Sequence, residues 1–159
     1  MSKFRVLFVC MGNICRSPAA EGVFTSLVAE EELEDRIEID SAGTISFHEG
    51  NPADPRMSAA AADRGYKLTS RARQIKQKDL SAFDLVITMD DDNYDNVLAL
   101  SEDKQEREKV KSFCDYCKEH SDQTVPDPYY GGADGFEHVL DLLEDGCSNL
   151  LMDIKKQLS

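Results

Sequence analysis

The chain has 159 residues, 41% of them hydrophobic and 31% charged, with a net charge of −13. That is the size of one ordinary domain with room for a core, read here as a single unit over 1–159. The acidity argues against nucleic acid or an acidic membrane surface as partner, since both need basic patches. No apolar run is long enough to span a bilayer, and Met1 to Arg5 leads directly into a strand without a leader pattern, so the expected location is cytoplasmic. Five cysteines at irregular spacing suit reduced thiols better than a secreted disulfide framework.

In chain order, residues 3–9 predict a first strand, apolar on both faces near its end as a central parallel strand would be. Ser17 is the expected N-cap of the next helix, with Pro18 in its first turn and Ala20, Val23, Phe24, Leu27 and Val28 on its buried face. Residues 36–40 predict a short second strand, and a loop runs from Ser41 past Pro52. Asp54-Pro55 caps a second helix over 56–64, ended by Gly65. A short turn near 78–80 precedes a third strand over 83–89 and a helix over 93–100. A charged helix or turn covers 101–109, and 110–113 predict a fourth strand. A loop over 115–132 leads to a last helix, about 134–158, that buries Phe136, Val139, Leu140, Leu143, Cys147, Leu150, Leu151 and Ile154. Strands alternating with helices predict an α/β sandwich with a parallel sheet. A strand order 2-1-3-4 would put the end of strand 1 in the crevice where such sheets bind ligands.

The chemistry concentrates in Cys10-Met-Gly-Asn-Ile-Cys-Arg-Ser17, which lies between the first strand and the first helix. Backbone amides from Met11 to Ser17, together with the positive end of the helix, can close around an anion. Gly12 admits conformations closed to bulkier residues. Arg16 can fork onto two phosphate oxygens, which lysine cannot do. Cys10 would then lie under the phosphorus as a thiolate nucleophile, with the Ser17 hydroxyl as a donor to it. By itself, a cysteine at a buried strand end is usually a small hydrophobe, and a lone Cys-x5-Arg spacing often arises by chance.

The stretch from Val6 through Cys10, Arg16 and Pro18 to Glu21 closely resembles the signature of the low-molecular-weight protein tyrosine phosphatases. The likeness continues in family order through Asp40-Ser-Ala-Gly-Thr44, Ala72-Arg-Gln74, Thr88-Met-Asp90 and Val125-Pro-Asp-Pro-Tyr-Tyr130. It implies a three-layer sandwich around a four-stranded parallel sheet and a two-step hydrolysis of phosphotyrosine that uses no cofactor or metal. It implies phosphotyrosine proteins as substrates and phosphate as product and inhibitor; a monomer is the expected state, though the sequence does not fix it. Asp127 falls on the family's general acid and base; without the resemblance, Asp127-Pro128 reads simply as a turn. Tyr129 and Tyr130 would wall the pocket and stack on a phenyl ring, or else fill core. By the same resemblance Ser41 holds the amide of Asn13, and Phe47 falls on the pocket rim, where its alternative is a surface-loop filler. The family often has a histidine bonded to this asparagine, but Ser70 stands near that position here. Asp90 either braces the loop or caps the next helix, the cap being the simpler reading. Ile14 makes an apolar rim suited to an aromatic ester, whereas phosphoarginine-directed relatives carry a smaller polar residue there. Cys15 matches the cysteine that pairs reversibly with the nucleophile and shields it from over-oxidation; its alternative is a packing thiol.

Cys114, Cys117 and His120 do not complete a structural zinc set, and the cysteine pair reads as incidental, with a redox role as its alternative. Cys147 is expected in the core, and His48 and His138 on the surface. Two other functions compete. An arsenate reductase on the same fold needs further cysteines near 80–90, where Ala82 and Met89 stand. A non-catalytic phosphate-binding module would lack the thiol, the arginine or the acid.

Overall fold

The computed structural model describes residues 3–129 and 131–158. Its strands are β1 (Phe4–Cys10), β2 (Ile37–Gly43), β3 (Leu85–Thr88) and β4 (Val110–Ser112). They form one parallel sheet in the order β2-β1-β3-β4, the expected one. The helices are α1 (Arg16–Glu30), α2 (Pro55–Asp63), α3 (Gln77–Ala82), α4 (Asp91–Leu98), α5 (Lys104–Glu108) and α6 (Ala133–Leu158), with a 3₁₀ turn at Phe113–Tyr116. None of these helices is long and apolar enough to cross a membrane.

The alternation of β1 explains the layers. Val6, Phe8 and Cys10 point into a core shared with α1, α2 and α6, while Leu7 and Val9 point into a second core with Leu80 of α3 and Val97 of α4. Val6 to Cys10 are buried on both faces and apolar throughout, which is why the sequence signal of this strand was clear. In the larger core, Phe8 meets Phe24 edge-on at 5.7 Å and Phe113 at 6.5 Å; an edge-on pair contributes about 0.5–1.5 kcal/mol beyond area burial. Phe113 packs so closely on α6 that a Cβ at Gly146 would lie 2.4 Å from its ring. This close approach accounts for a glycine in mid-helix, where it costs about 1 kcal/mol against alanine.

Several boundaries differ from expectation for physical reasons. Strand β2 continues through Ser41, Ala42 and Gly43, because their backbone pairs with Phe8, Val9 and Cys10 of β1. Residues 77–82 form a helix rather than a turn, started by the Asp79 carboxylate, which accepts from Lys76 N at 2.8 Å. Helix α1 begins at Arg16 with Cys15 at its cap position, and no side chain caps it. Ser17 is therefore not the N-cap: its hydroxyl is engaged in the site described below. Asp54 and Gly65 flank α2 as expected, Asp54 accepting from Arg56 N at 2.8 Å and Gly65 taking φ +90°. Leu142 joins the predicted buried residues of α6.

The segment leading from β4 toward the second half of the site is clamped by one carboxylate on α6. Asp145 accepts from the backbone amides of Lys118, Glu119 and His120 at 3.0, 3.0 and 3.1 Å and pairs with His120 Nδ1 at 2.9 Å. His138 is part-exposed at the surface, as expected, and pairs there with Asp122 at 2.9 Å, a partner the sequence did not reveal. Burial opposes the Asp145 charge, but the Lys118 amide, His120 and the other two amides hold its pKa below the ordinary value. The bond to Asp145 raises that of His120. The Asp145 contribution is thus present above about pH 4 and lost as pH falls through its depressed value. The His120 contribution is full below about pH 6.5 and lost as pH rises through its raised value. We expect the wild-type urea midpoint to drop more than that of Asp145→Asn between about pH 5 and about pH 9. Equal drops in the two proteins would refute the His120–Asp145 contribution to the clamp.

Candidate active site

The site forms where β1 ends at the switch point of the sheet, with β2 on one side and β3 on the other. The chain curls from Cys10 through Cys15 and enters α1, so the unpartnered amides of the first helical turn lie next to the loop. Asn13 makes the curl possible by taking φ +57°, a left-handed conformation that asparagine tolerates better than most residues.

Asn13 is also the loop's anchor. Its Nδ2 donates to Ser17 Oγ at 2.8 Å and to Ser41 Oγ at 3.0 Å, and its Oδ1 accepts from Arg73 N at 3.0 Å. Ser41 in turn donates to Glu21 Oε1 at 2.6 Å. Burial raises the pKa of Glu21, while Ser41 and Ser70 hydrogen-bond to it and favour its charge. The expected Ser41 contact is present, and Ser70 reaches the network through Glu21. Glu21 and the Arg73 amide were missed from sequence. Glu21 ends the signature-like stretch as a polar residue on a mostly buried helix but carried no assigned role, and a backbone group leaves no sign at all.

Cys10 Sγ lies 3.0 Å from Ser17 Oγ and accepts from Asn13 N at 3.3 Å. Ser17 Oγ accepts from Asn13, and its one proton has two acceptors in reach, the Cys10 sulfur at 3.0 Å and the Ala42 carbonyl at 3.4 Å. Arg16 is almost fully buried. Its Nη1 donates to Asp90 Oδ2 at 2.6 Å and to the Val125 carbonyl at 3.0 Å, and its Nη2 lies 3.7 Å from Asp127 Oδ2. Burial opposes the guanidinium charge, but the Cys10 side chain and Asp90 raise its pKa above the ordinary value. Asp90 does both things the sequence offered as alternatives, since its other oxygen accepts from Asn93 N at 2.8 Å and starts α4.

Asp127 arrives from the loop after the clamped segment. Its Oδ1 accepts from Tyr129 N at 3.0 Å, and its side chain is 37% exposed, open enough to exchange protons with water. Cys10, Met11, Gly12, Ile14, Cys15, Arg16, Ile45, Phe47, His48, Asp127 and Tyr129 line one cavity of about 370 Å³, within the range of small-ligand sites. Phe47 is thus a rim residue, edge-on to His48 at 4.8 Å. His48 faces the cavity rather than open surface, and it and Ile45 were not foreseen as lining. Tyr129 lies under the guanidinium of Arg56 at 5.3 Å, and Arg56 is paired to Asp54 at 3.0 Å. Tyr130, expected beside Tyr129, lies outside the described residues. Burial, and next the Asp54 charge, push the Cys15 thiol up to about 12. All five cysteines are free thiols. Among the described residues no cluster of His, Cys, Asp or Glu is arranged to hold a metal ion.

The arrangement is a thiol, a guanidinium and a carboxylate around one anion-sized loop with aromatic walls. Residues 5–159 match the family model described as low molecular weight phosphotyrosine protein phosphatase. A Synechocystis sp. relative, provisionally named a low molecular weight protein-tyrosine-phosphatase, is 51% identical over 154 residues, covering 97% of this chain and 98% of its own. A low molecular weight protein-tyrosine-phosphatase of Streptomyces coelicolor is 43% identical, covering 98% and 96%. Among solved structures, a protein tyrosine phosphatase from Entamoeba histolytica with Hepes in its active site superposes with a TM-score of 0.95 at 41% identity, covering 99% and 100%.

Proposed function

The chain belongs to the low molecular weight phosphotyrosine protein phosphatase family, and on that premise we propose that it hydrolyses phosphotyrosine and small aryl phosphates through a phosphocysteine on Cys10. The observation that carries the reading is the convergence of Cys10, Arg16 and Asp127 on one cavity with an apolar and aromatic wall. The Hepes reported in the Entamoeba active site carries a tetrahedral sulfonate, the shape of the anion this loop would take.

The substrate phosphate enters the loop, where the amides from Met11 to Ser17 and the Nη2 edge of Arg16 bind its oxygens. Nη1 is already committed to Asp90 and Val125, which fixes the plane of the fork before substrate arrives. Cys10 Sγ attacks phosphorus, the S–P bond forms and the P–O bond to the phenol breaks. Asp127 gives its proton to the departing oxygen, which saves the cost of releasing a bare phenolate. As a carboxylate it then takes a proton from water, whose oxygen attacks phosphorus and frees the thiolate. Phosphate leaves from the cradle that bound the substrate, so it also inhibits. The chemistry needs no cofactor or metal.

Ile14, Phe47 and Tyr129 give the phenyl ring apolar contact, and Ser41 acts only by holding Asn13. We expect the protein to hydrolyse p-nitrophenyl phosphate and phosphotyrosyl peptides at least about tenfold faster, by kcat/KM, than phosphoseryl or phosphoarginyl peptides of the same sequence. Comparable rates on all of them would refute the specificity, and no hydrolysis of any would refute the function.

Cys15 adds a protective thiol to this reading. Peroxide converts the Cys10 thiolate to a sulfenic acid, and Cys15 sulfur then attacks it, expelling water and closing a disulfide that a dithiol reopens. Both thiols line the same cavity, and Cys15 is protonated in the resting protein. Peroxide-inactivated wild type should recover most of its activity with dithiothreitol, and Cys15→Ser should recover little. Equal recovery would end the protective role.

A further inference from the structure

Cys114 and Cys117 lie far from the phosphate loop in the chain and take no part in the chemistry above. They sit where β4 passes into the 3₁₀ turn Phe113–Tyr116 and out again. The turn is closed by Cys117 N donating to the Cys114 carbonyl at 3.1 Å. In 3₁₀ geometry, side chains three residues apart eclipse one another. A turn this tight also keeps the two Cα atoms within about 7 Å, close to what a disulfide spans. The two sulfurs are near enough to perturb each other's ionisation. Cys117 is partly exposed and its thiol also reaches the Leu142 carbonyl of α6 at 3.6 Å, while Cys114 is 9% exposed.

We propose that Cys114 and Cys117 form a second redox centre, independent of Cys10, in which peroxide converts the two thiols to an intramolecular disulfide. Interaction between the two sulfurs lowers the pKa of Cys114 and raises that of Cys117. Cys114 thiolate attacks one peroxide oxygen, the O–O bond breaks, and a sulfenic acid and hydroxide result. Cys117 sulfur attacks the Cys114 sulfur, the S–O bond breaks and water leaves with the Cys117 proton. The sum is two thiols and one peroxide giving one disulfide and two waters. A dithiol reverses it by exchange. Cys147, buried on α6, is the remaining thiol on this side of the molecule, and the i, i+3 turn selects Cys117 over it as partner.

The test uses full-length wild type and a Cys10→Ser/Cys15→Ser variant, each treated with hydrogen peroxide. Remaining thiols are then blocked with iodoacetamide, and the protein is digested and weighed. The expected result in both is an unblocked species joining Cys114 and Cys117, lighter by two hydrogens and restored to two blocked cysteines by dithiothreitol. In Cys117→Ser that species should vanish and Cys114 should carry added oxygen, while turnover of p-nitrophenyl phosphate in the untreated variant stays at the wild-type level. Blocked Cys114 and Cys117 after peroxide, or a bond from either one to Cys147, would overturn the proposal. The wild-type map decides the question even if a variant folds poorly.

Discussion

Replacing Cys10 by serine should lower kcat for p-nitrophenyl phosphate by at least about 10⁴-fold while the protein still folds and still binds phosphate. The reason is chemical rather than structural. Cys10 is 2% exposed and its sulfur accepts from Asn13 N, a contact a serine oxygen can also make, and Ser17 remains in reach. What serine lacks is the nucleophilic sulfur, since the reacting species is a thiolate and an alcohol is a far weaker acid than a thiol. No phosphoenzyme should accumulate in a single-turnover experiment, and the KM or phosphate inhibition constant should move little, because the amides and Arg16 are untouched. Turnover within tenfold of wild type would mean that another nucleophile does the work.

Asp127→Ala should divide substrates by their leaving groups. With phenyl phosphate or phosphotyrosine, whose phenols ionise near about 10, the loss in kcat should reach about 10²–10³-fold, the usual worth of a positioned acid. With p-nitrophenyl phosphate, whose phenolate leaves unaided far more readily, the loss in the first step should be much smaller. Removing this carboxylate also takes away the 3.7 Å neighbour of Arg16 Nη2, but Asp90 and Val125 still hold Nη1, so the loop should keep its shape. An equal loss on both substrates would assign Asp127 a positioning role instead of proton transfer.

How much of this was legible beforehand varies by residue. Cys10, Gly12, Arg16 and Ser17 lie within one short run, so their spacing alone brings them to one loop. The strand before and the helix after follow from local apolar patterns. Asp127 could be tied to that run only through the resemblance, because nothing local distinguishes it from a turn aspartate. The support of Asn13 was legible in one contact of three: Ser41 was foreseen, but Ser17 as acceptor and the Arg73 amide were not. Ser17 looked like a helix cap because serine before a proline usually is one. Tertiary contacts with Cys10 and Asn13 claimed its hydroxyl instead.

The sequence by itself determined the layered α/β architecture and the anion loop, because strand and helix periodicities and the order of a short motif are local properties of a chain. Only the tertiary structure decided that Arg16 is fixed by Asp90 and by the Val125 carbonyl, that Glu21 ends the Asn13–Ser41 relay, and that His48 and Ile45 face the cavity. Those contacts join residues as far as 109 positions apart, and the one to Val125 uses a backbone carbonyl of the kind every residue carries. They depend on sheet register and on how α6 clamps the segment before Asp127, which only the folded chain specifies.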